Sequence, residues 1–332
     1  MLNAAVIGLG NIGFQFDIDP KRKTTWSHVS AYTKCGKTRL VGAVEIDDKK
    51  ASLFKDHYKN IPVFKTVKDL MSNLRVDIVS VATPTATHYP LLKELLKYPL
   101  KAIFCEKPLA ASVGEAEDII KMCDDAKIVL AVNHNRRWDS HYLYVKKIIK
   151  DKRIGNIKTV NALYSGQVFN IGTHLFDTIR MLIKKDPKAM NGISFNLESN
   201  DPDVAGWIWF DGNIPCTIIS TGKREDLIFE IDVIGDLGRI RILENGEKIE
   251  QFIFAESAKY SGYRELFSVP TKKISKKDRF LEAVNDIVKV VEGKKGSVNC
   301  AGIDGLYALS MSFAMFESAK RNNEERIGVN IE

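Results

Sequence analysis

The 332-residue chain contains no run of about 18 apolar residues, so no membrane-spanning helix is expected. Cysteine is scarce and scattered: Cys35, Cys105, Cys123, Cys216 and Cys300, odd in number and with no C-x-x-C pair. That argues against a disulfide framework or a zinc site and fits a reducing compartment. Cys105 reads as a buried strand residue rather than a reactive thiol. The chain shows no metal-ligand spacing, no internal repeat and no low-complexity linker. Met1-Leu2-Asn3 runs straight into an apolar strand pattern, with neither a basic n-region nor a small-residue cleavage site. The expectation is a chain without an export signal, located in the cytoplasm. The formal net charge is +7, yet the excess is not concentrated. Its densest stretch, Lys272-Lys273 with Lys276-Lys277, has no interleaved aromatics and reads as a solvated loop. The charge favours an anionic small molecule; no nucleic-acid or membrane partner is expected.

Hydrophobic residues make up 45% of the chain and charged residues 27%, enough for a sizeable core in each of two domains. Short apolar runs at residues 2–7, 39–44, 76–82, 102–105 and 128–132 read as buried strands. Helical patterns separate several of them, around 69–71, over 90–96 and over 112–125, the last with Ser112 as N-cap and Glu115 completing a capping box. Strands alternating with helices predict a parallel sheet covered on both faces. After about residue 150 the pattern changes. Segments 158–164, 205–210, 215–221 and 229–234 alternate, 239–243 is a short strand, and Asp211-Gly212-Asn213 and Glu244-Asn245-Gly246 mark turns. A largely antiparallel sheet follows, closed by helices over 280–291 and 303–319. The expected division is residues 1–132 and 133–332, with the boundary near 133–138.

Gly8-Leu9-Gly10-Asn11-Ile12-Gly13 is G-x-G-x-x-G placed directly after the first strand. There the first glycine permits a tight turn, the second lets backbone approach a pyrophosphate, and the third allows close helix packing. Free N–H groups and the positive dipole end of a helix would receive the phosphates. A plain glycine-rich turn is the alternative. The second strand ends at Glu45, where a carboxylate can accept both adenosine ribose hydroxyls and repel a 2′-phosphate, favouring NAD(H) over NADP(H). A solvated strand-end carboxylate is the alternative. The expected fold is therefore an α/β Rossmann domain with a doubly wound parallel sheet, then an α+β domain with a large, mostly antiparallel open sheet. One spacing is abnormal. Glu45 lies 32 positions after Gly13, where about 20 is usual. The excess sits in residues 14–26: either the helix starts late, or a loop is inserted over the cofactor cleft. That loop is a flap carrying Lys21, Arg22 and Lys23, or simply exposed.

Further motifs occur in a fixed order. Val81-Ala82-Thr83-Pro84 with His88, then Cys105-Glu106-Lys107-Pro108, resembles the Gfo/Idh/MocA oxidoreductases, which include glucose–fructose oxidoreductase and inositol dehydrogenase. Asn133-His134-Asn135-Arg136-Arg137-Trp138 resembles that family's domain junction, and Arg153-Ile154-Gly155-Asn156-Ile157 its lead into the C-terminal sheet. Gly172-Thr173-His174-Leu175-Phe176-Asp177 resembles its G-x-H-x-x-D helix, and Gly302-Ile303-Asp304-Gly305-Leu306 its closing helix. The resemblance implies an NAD(P)-dependent dehydrogenase or reductase acting at a secondary carbinol or ketone of a sugar, sugar nucleotide or cyclitol. It implies a homodimer or homotetramer built through the C-terminal sheet, and Lys107 and His174 beside the nicotinamide. An aspartate usually stands four residues before that histidine; here the place holds Asn170, which can orient a hydroxyl but cannot take its proton. This amide form looks more like members of surface-polysaccharide and amino-sugar pathways. The implied cofactor set is Gly8, Gly10, Asn11, Ile12, Gly13, Glu45, Thr83, Pro84, His88, Glu106 and Lys107.

The residues also carry an independent reading. Lys107 follows the carboxyl end of a parallel strand, where open α/β sheets bind ligands, and its ammonium can stabilise a developing alkoxide. A surface lysine is the alternative. His174 stands beside Thr173, read as an N-cap, and three residues before Asp177, so both fall on one helix face. A neutral imidazole can take a proton; a capping or core histidine is the alternative. Arg136 and Arg137 can bind a substrate phosphate or carboxylate, as Asn170 and Asp177 can contact its hydroxyls, or the arginines form salt bridges at the junction. His28, His88 and His134 read as structural support. Trp207 and Trp209 share one strand face and read as core or oligomer packing. Two other functions stay open: a non-catalytic NAD-binding regulator, which has no need of the Lys107 and His174 pair, and an NAD-dependent glycoside hydrolase.

Overall fold

The computed structural model describes residues 1–194, 196–222, 224–272 and 274–321. The chain divides into two compact units, one of Met1–Leu143 with Ile274–Leu309, the other of Tyr144–Lys273 with Ser310–Glu332.

In the first unit, β1 (Leu2–Ile7), β2 (Thr38–Val44), β3 (Val63–Phe64), β4 (Ile78–Val81), β5 (Ala102–Cys105) and β6 (Val129–Val132) form one sheet. Its order is β3-β2-β1-β4-β5-β6 and every pairing is parallel. The strands are mainly apolar because both faces are covered: Ala4, Val6, Ile78, Val79, Ile103 and Phe104 are all buried. Helices α1 (His28–Lys34), α2 (Asp48–His57), α3 (Val67–Asn73), α4 (His88–Leu95) and α5 (Val113–Asp125) connect them. Strand order reverses between β1 and β4, so the loops leaving β1, β4 and β5 emerge at the edge where such sheets hold ligands. Ser112 caps α5 as the sequence suggests, but Glu115 returns its bond to Ala111 N–H, one residue earlier than the capping box requires.

After α6 (Ser140–Lys150), the second unit holds β7 (Ile157–Tyr164), α7 (Thr173–Ile183), β8 (Pro187–Ile193), β9 (Ala205–Phe210), β10 (Ile214–Ser220), β11 (Phe229–Gly235), β12 (Gly238–Leu243), β13 (Lys248–Glu256) and β14 (Arg264–Val269). Its sheet runs β14-β13-β12-β11-β7-β10-β9-β8, antiparallel except for the parallel β7–β10 pair. Alternate residues such as Cys216, Ile218, Ile231, Val233, Ile240 and Ile242 point into the core.

The chain then supplies α8 (Arg279–Val291) and the first part of α9 (Gly302–Arg321) to the first unit. This moves the division away from residues 132 and 133, where the sequence suggested it. The Trp138 indole N–H donates to Asp286 at 3.0 Å, and Arg137 donates to Asp304 at 2.9 Å and to the Asn299 carbonyl at 3.0 Å. Residues 134–143 are thereby fastened to α8 and α9 and stay with the parallel sheet. Among the described residues no helix is long and apolar enough to cross a membrane.

Candidate active site

The glycine loop is shaped by steric exclusion. Gly8 has φ +92°, and a Cβ there would lie 2.7 Å from the Ala82 carbonyl oxygen at the end of β4. A Cβ on Gly13 would meet the Gly8 carbonyl at 2.0 Å. At Gly10 a Cβ would touch nothing within 4 Å, so the backbone there faces open space. This is a cradle that a dinucleotide's pyrophosphate fits: two glycines close the turn and the third keeps its outer surface bare.

Residues 14–27 explain the abnormal spacing. Phe14 and Gln15 N–H both donate to the Gly10 carbonyl, forming a first helical turn, and the chain then leaves through a 3₁₀ turn, Gln15–Ile18. It returns at α1, where His28 N–H donates to the Ile12 carbonyl and Val29 N–H to that of Gly13, each at 3.1 Å. The helix behind the phosphate loop is thus one helix, with His28 in the place of residue 16 and the twelve residues 16–27 looped out of it. Without the excursion Glu45 follows Gly13 by 20 positions, the usual figure of about 20. The two readings left open by the sequence are one event: the helix resumes late because a segment is inserted. Phe14 anchors the excursion in the core against Phe54, His57 and Tyr58. Its other end is held by Thr25 N–H donating to Asp278 at 2.8 Å. Arg22 lies over the rings of Phe16 and Trp26, 3.8 and 4.8 Å from their centroids, while Lys21 and Lys23 are exposed.

Glu45 is only 6% exposed. Its Oε2 accepts from Leu9 N–H at 2.8 Å and its Oε1 from Asp47 N–H at 2.9 Å. The carboxylate therefore buttresses the glycine loop, and each oxygen keeps acceptor capacity for a further donor.

The loops after β4 and β5 are tied together from below. His88 is buried at the start of α4, with Nε2 2.9 Å from the Thr83 carbonyl and Nδ1 2.9 Å from that of Pro108. Thr83 also accepts a hydrogen bond from Thr87. Glu106 is buried as well: Oε1 receives His28 Nε2 at 2.9 Å and Asn133 Nδ2 at 2.5 Å. Burial alone would push the Glu106 carboxyl up, but the His28 hydrogen bond and charge, the Asn133 donor and the Lys107 charge together hold it below the usual range. Grouped with the cofactor positions on the sequence, His88 and Glu106 lie beneath the loops that carry Thr83, Pro84 and Lys107. Lys107 itself is half-buried. Cys105 is buried, as expected of a strand residue, and burial pushes its thiol well up.

Of the two readings of the arginines, Arg137 follows the structural one, since its guanidinium is committed to Asp304 and Asn299. Arg136 is buried with its Nε 3.3 Å from the Tyr142 hydroxyl, and burial lowers its pKa.

In the second unit, a π-helical turn, Val168–Gly172, leads into α7, a geometry frequent at functional sites. Phe169 N–H donates to Asp201 at 2.7 Å, supplying the cap. Thr173 is therefore not the N-cap that the sequence suggested: it lies inside the helix, and its hydroxyl donates back to the Phe169 and Asn170 carbonyls. Asn170 and His174 are four residues apart on this continuous helical stretch and share a face, with Asp177 on the next turn. His174 and Asp177 are buried and Asn170 is partly accessible. The sequence reading missed Asp201 and the His28–Glu106–Asn133 cluster. Asp201 has no sequence signal, and His28 shows one only once residues 16–27 are set aside.

Residues 2–134 match the oxidoreductase family with an NAD-binding Rossmann fold, Gfo/Idh/MocA. Those residues are a domain of the Gfo/Idh/MocA type. Inositol 2-dehydrogenase of Rhizobium meliloti is 27% identical over 286 residues, covering 78% of this chain and 83% of that protein. The NADP(+)-dependent scyllo-inositol 2-dehydrogenase IolW of Bacillus subtilis is 25% identical over 154 residues, 41% of this chain and 42% of its own. The same fold is seen in the WlbA dehydrogenase of Bordetella pertussis, solved with NADH and UDP-GlcNAcA (TM-score 0.77, 17% identity, 96% of this chain and 97% of that one). The domain match and the inositol dehydrogenase relatives together support a dehydrogenase acting on CH–OH groups, and the Gly8–Gly13 cradle is the part that an NAD-type dinucleotide fits.

Proposed function

We propose that the protein is an NAD(H)-dependent dehydrogenase of a sugar, sugar nucleotide or cyclitol, oxidising or reducing a secondary carbon. The observation that carries this reading is the glycine cradle braced by Glu45, at the reversal of strand order and on the same sheet edge from which the Lys107 loop emerges after β5. Gly8 to Gly13, with Thr83 and Pro84, would hold the dinucleotide, and Glu45 would accept its ribose hydroxyls. A buried carboxylate already on backbone donors repels a 2′-phosphate, so NAD(H) should bind at least about tenfold tighter than NADP(H), about 1.4 kcal/mol. Bound NAD⁺ supplies the hydride acceptor, and NADH the donor in the reverse direction. His174 takes the hydroxyl proton on oxidation or returns it on reduction. Lys107 stabilises the negative charge that develops on the same oxygen. Asn170 orients the hydroxyl by hydrogen bonding.

The test is a screen of UDP- and GDP-sugars, uronic acids, inositols and free aldoses against NAD⁺, followed by NADH absorbance. Stoichiometric NADH formation with one class supports the reading. Released free sugar without net NADH would indicate the hydrolase, and cofactor binding without turnover on any class a regulator.

A further inference from the structure

We propose that His28 is a positioning residue for Lys107, acting through the buried Glu106 carboxylate. The inference rests on the reading of Lys107 given above. His28 opens α1 and is 0% exposed. Its ring stands edge-on to Phe104 and Phe280, with centroids 4.7 and 5.4 Å away, and its Nε2 lies 2.9 Å from Glu106 Oε1. The other oxygen, Oε2, accepts from the Lys107 backbone N–H at 3.3 Å, which ties the carboxylate to the chain that carries the lysine. Besides His28, the titratable groups facing Glu106 are Lys107 and the buried Cys105.

A core histidine that merely filled space would be a poor choice here. Between two phenylalanine rings an apolar side chain packs without cost, whereas His28 Nδ1 is buried with no hydrogen-bond partner among the described residues. The imidazole tolerates that penalty in exchange for its contact with Glu106. A carboxylate in this apolar wall stays ionised only if donors reach it, and His28 and Asn133 are those donors. An ionised Glu106 in turn favours the ammonium form of Lys107, because the interaction is mutual. The path is short: α1 continues the helical turn of the phosphate loop, so one side chain ties the cofactor cradle to the loop carrying Lys107.

The experiment measures the reactivity of Lys107 and needs no substrate. The full chain and its His28→Phe, His28→Leu, His28→Gln and Glu106→Gln variants are labelled with trace acetic anhydride across a pH series and read by mass spectrometry. The exposed Lys65 serves as internal reference and NADH affinity as the check on folding. In His28→Phe and His28→Leu, Lys107 labelling at neutral pH should rise about tenfold relative to Lys65. His28→Gln, which keeps a donor to Glu106, should stay near wild type, and Glu106→Gln should match the apolar variants. Cys105 should remain closed to iodoacetamide throughout. Unchanged Lys107 labelling in the apolar variants, an equal rise in His28→Gln, or a newly reactive Cys105 would each overturn the proposal. If the apolar variants do not fold, Glu106→Gln decides alone: the same rise is required. Turnover of Lys107→Ala on the substrate screen tests the underlying reading separately, since labelling does not depend on it.

Discussion

Arg137 is a useful place to separate chemistry from architecture. Its guanidinium donates to Asp304, 167 positions away, and both side chains are largely buried. Arg137→Ala strands a buried carboxylate, and urea unfolding should show a loss of about 3–5 kcal/mol, with NADH affinity within about twofold of wild type. A stable variant with impaired substrate binding would instead return Arg137 to the substrate. At the proposed acid–base pair the expected order is different. His174→Ala should lower turnover by about 10²–10⁴ with cofactor affinity kept, and Asn170→Ala should cost less because it loses a hydrogen bond and not a proton acceptor. Equal losses in the two, with circular dichroism unchanged, would mean the roles are assigned wrongly. Glu45→Ala should narrow the gap between NAD(H) and NADP(H) in calorimetry. Residues of this kind were legible in the sequence where their context is local: the glycines after a strand, Lys107 after another, His174 on a helix. The pairings that brace the site were not, because His28 with Glu106, Arg137 with Asp304 and Phe169 with Asp201 meet across the fold and leave no periodic trace.

Among elements, the excursion of residues 16–27, with Phe14 anchoring the helix it leaves, is the part most open to test. Phe14 is buried, so Phe14→Ala should cost about 3–5 kcal/mol by removing a core ring. Between its anchors at Phe14 and Thr25 the segment exposes Lys21, Lys23 and Thr24. Saturating NADH should slow hydrogen exchange at this tip if it covers the cofactor, and unchanged exchange across residues 14–26 would make it a passive loop. The parallel strands were mostly readable because they are short and mainly apolar. The edge pair β13 and β14 escaped notice for a physical reason: neither strand buries one face consistently, so no alternation marks them. Strand β8 likewise mixes Pro187, Lys188, Asn191 and Gly192 and carries no strand pattern.

For the whole molecule, acid is the revealing variable. Glu106 and Asp77 both have carboxyls held below their ordinary values of 4.5 and 3.8, burial opposing and being outweighed: by His28 and Asn133 for the first, by Asn3 N–H and Lys101 for the second. The unfolded chain therefore binds more protons than the folded one below these values. Stability is fully present above about pH 5 and should fall as pH drops through 4, so the urea midpoint near pH 3.5 should lie below that near pH 5.5. An unchanged midpoint would mean that the pairs add nothing. Assembly is a second whole-molecule property. Trp207 and Trp209 are 48% and 45% exposed on one face of β9, and Ile219 and Leu163 extend the apolar strip across β10 and β7. We expect a dimer or tetramer through this face; light scattering should show it, and Trp207→Asp should weaken it. The looped-out segment has a further consequence, for descent rather than for chemistry. Its two ends meet as neighbours on one helix, so the whole stretch can be gained or lost in a single genetic event without shifting any strand's register. A chain lacking residues 16–27, with Gln15 joined directly to His28 and Phe14 kept in the core, should therefore fold.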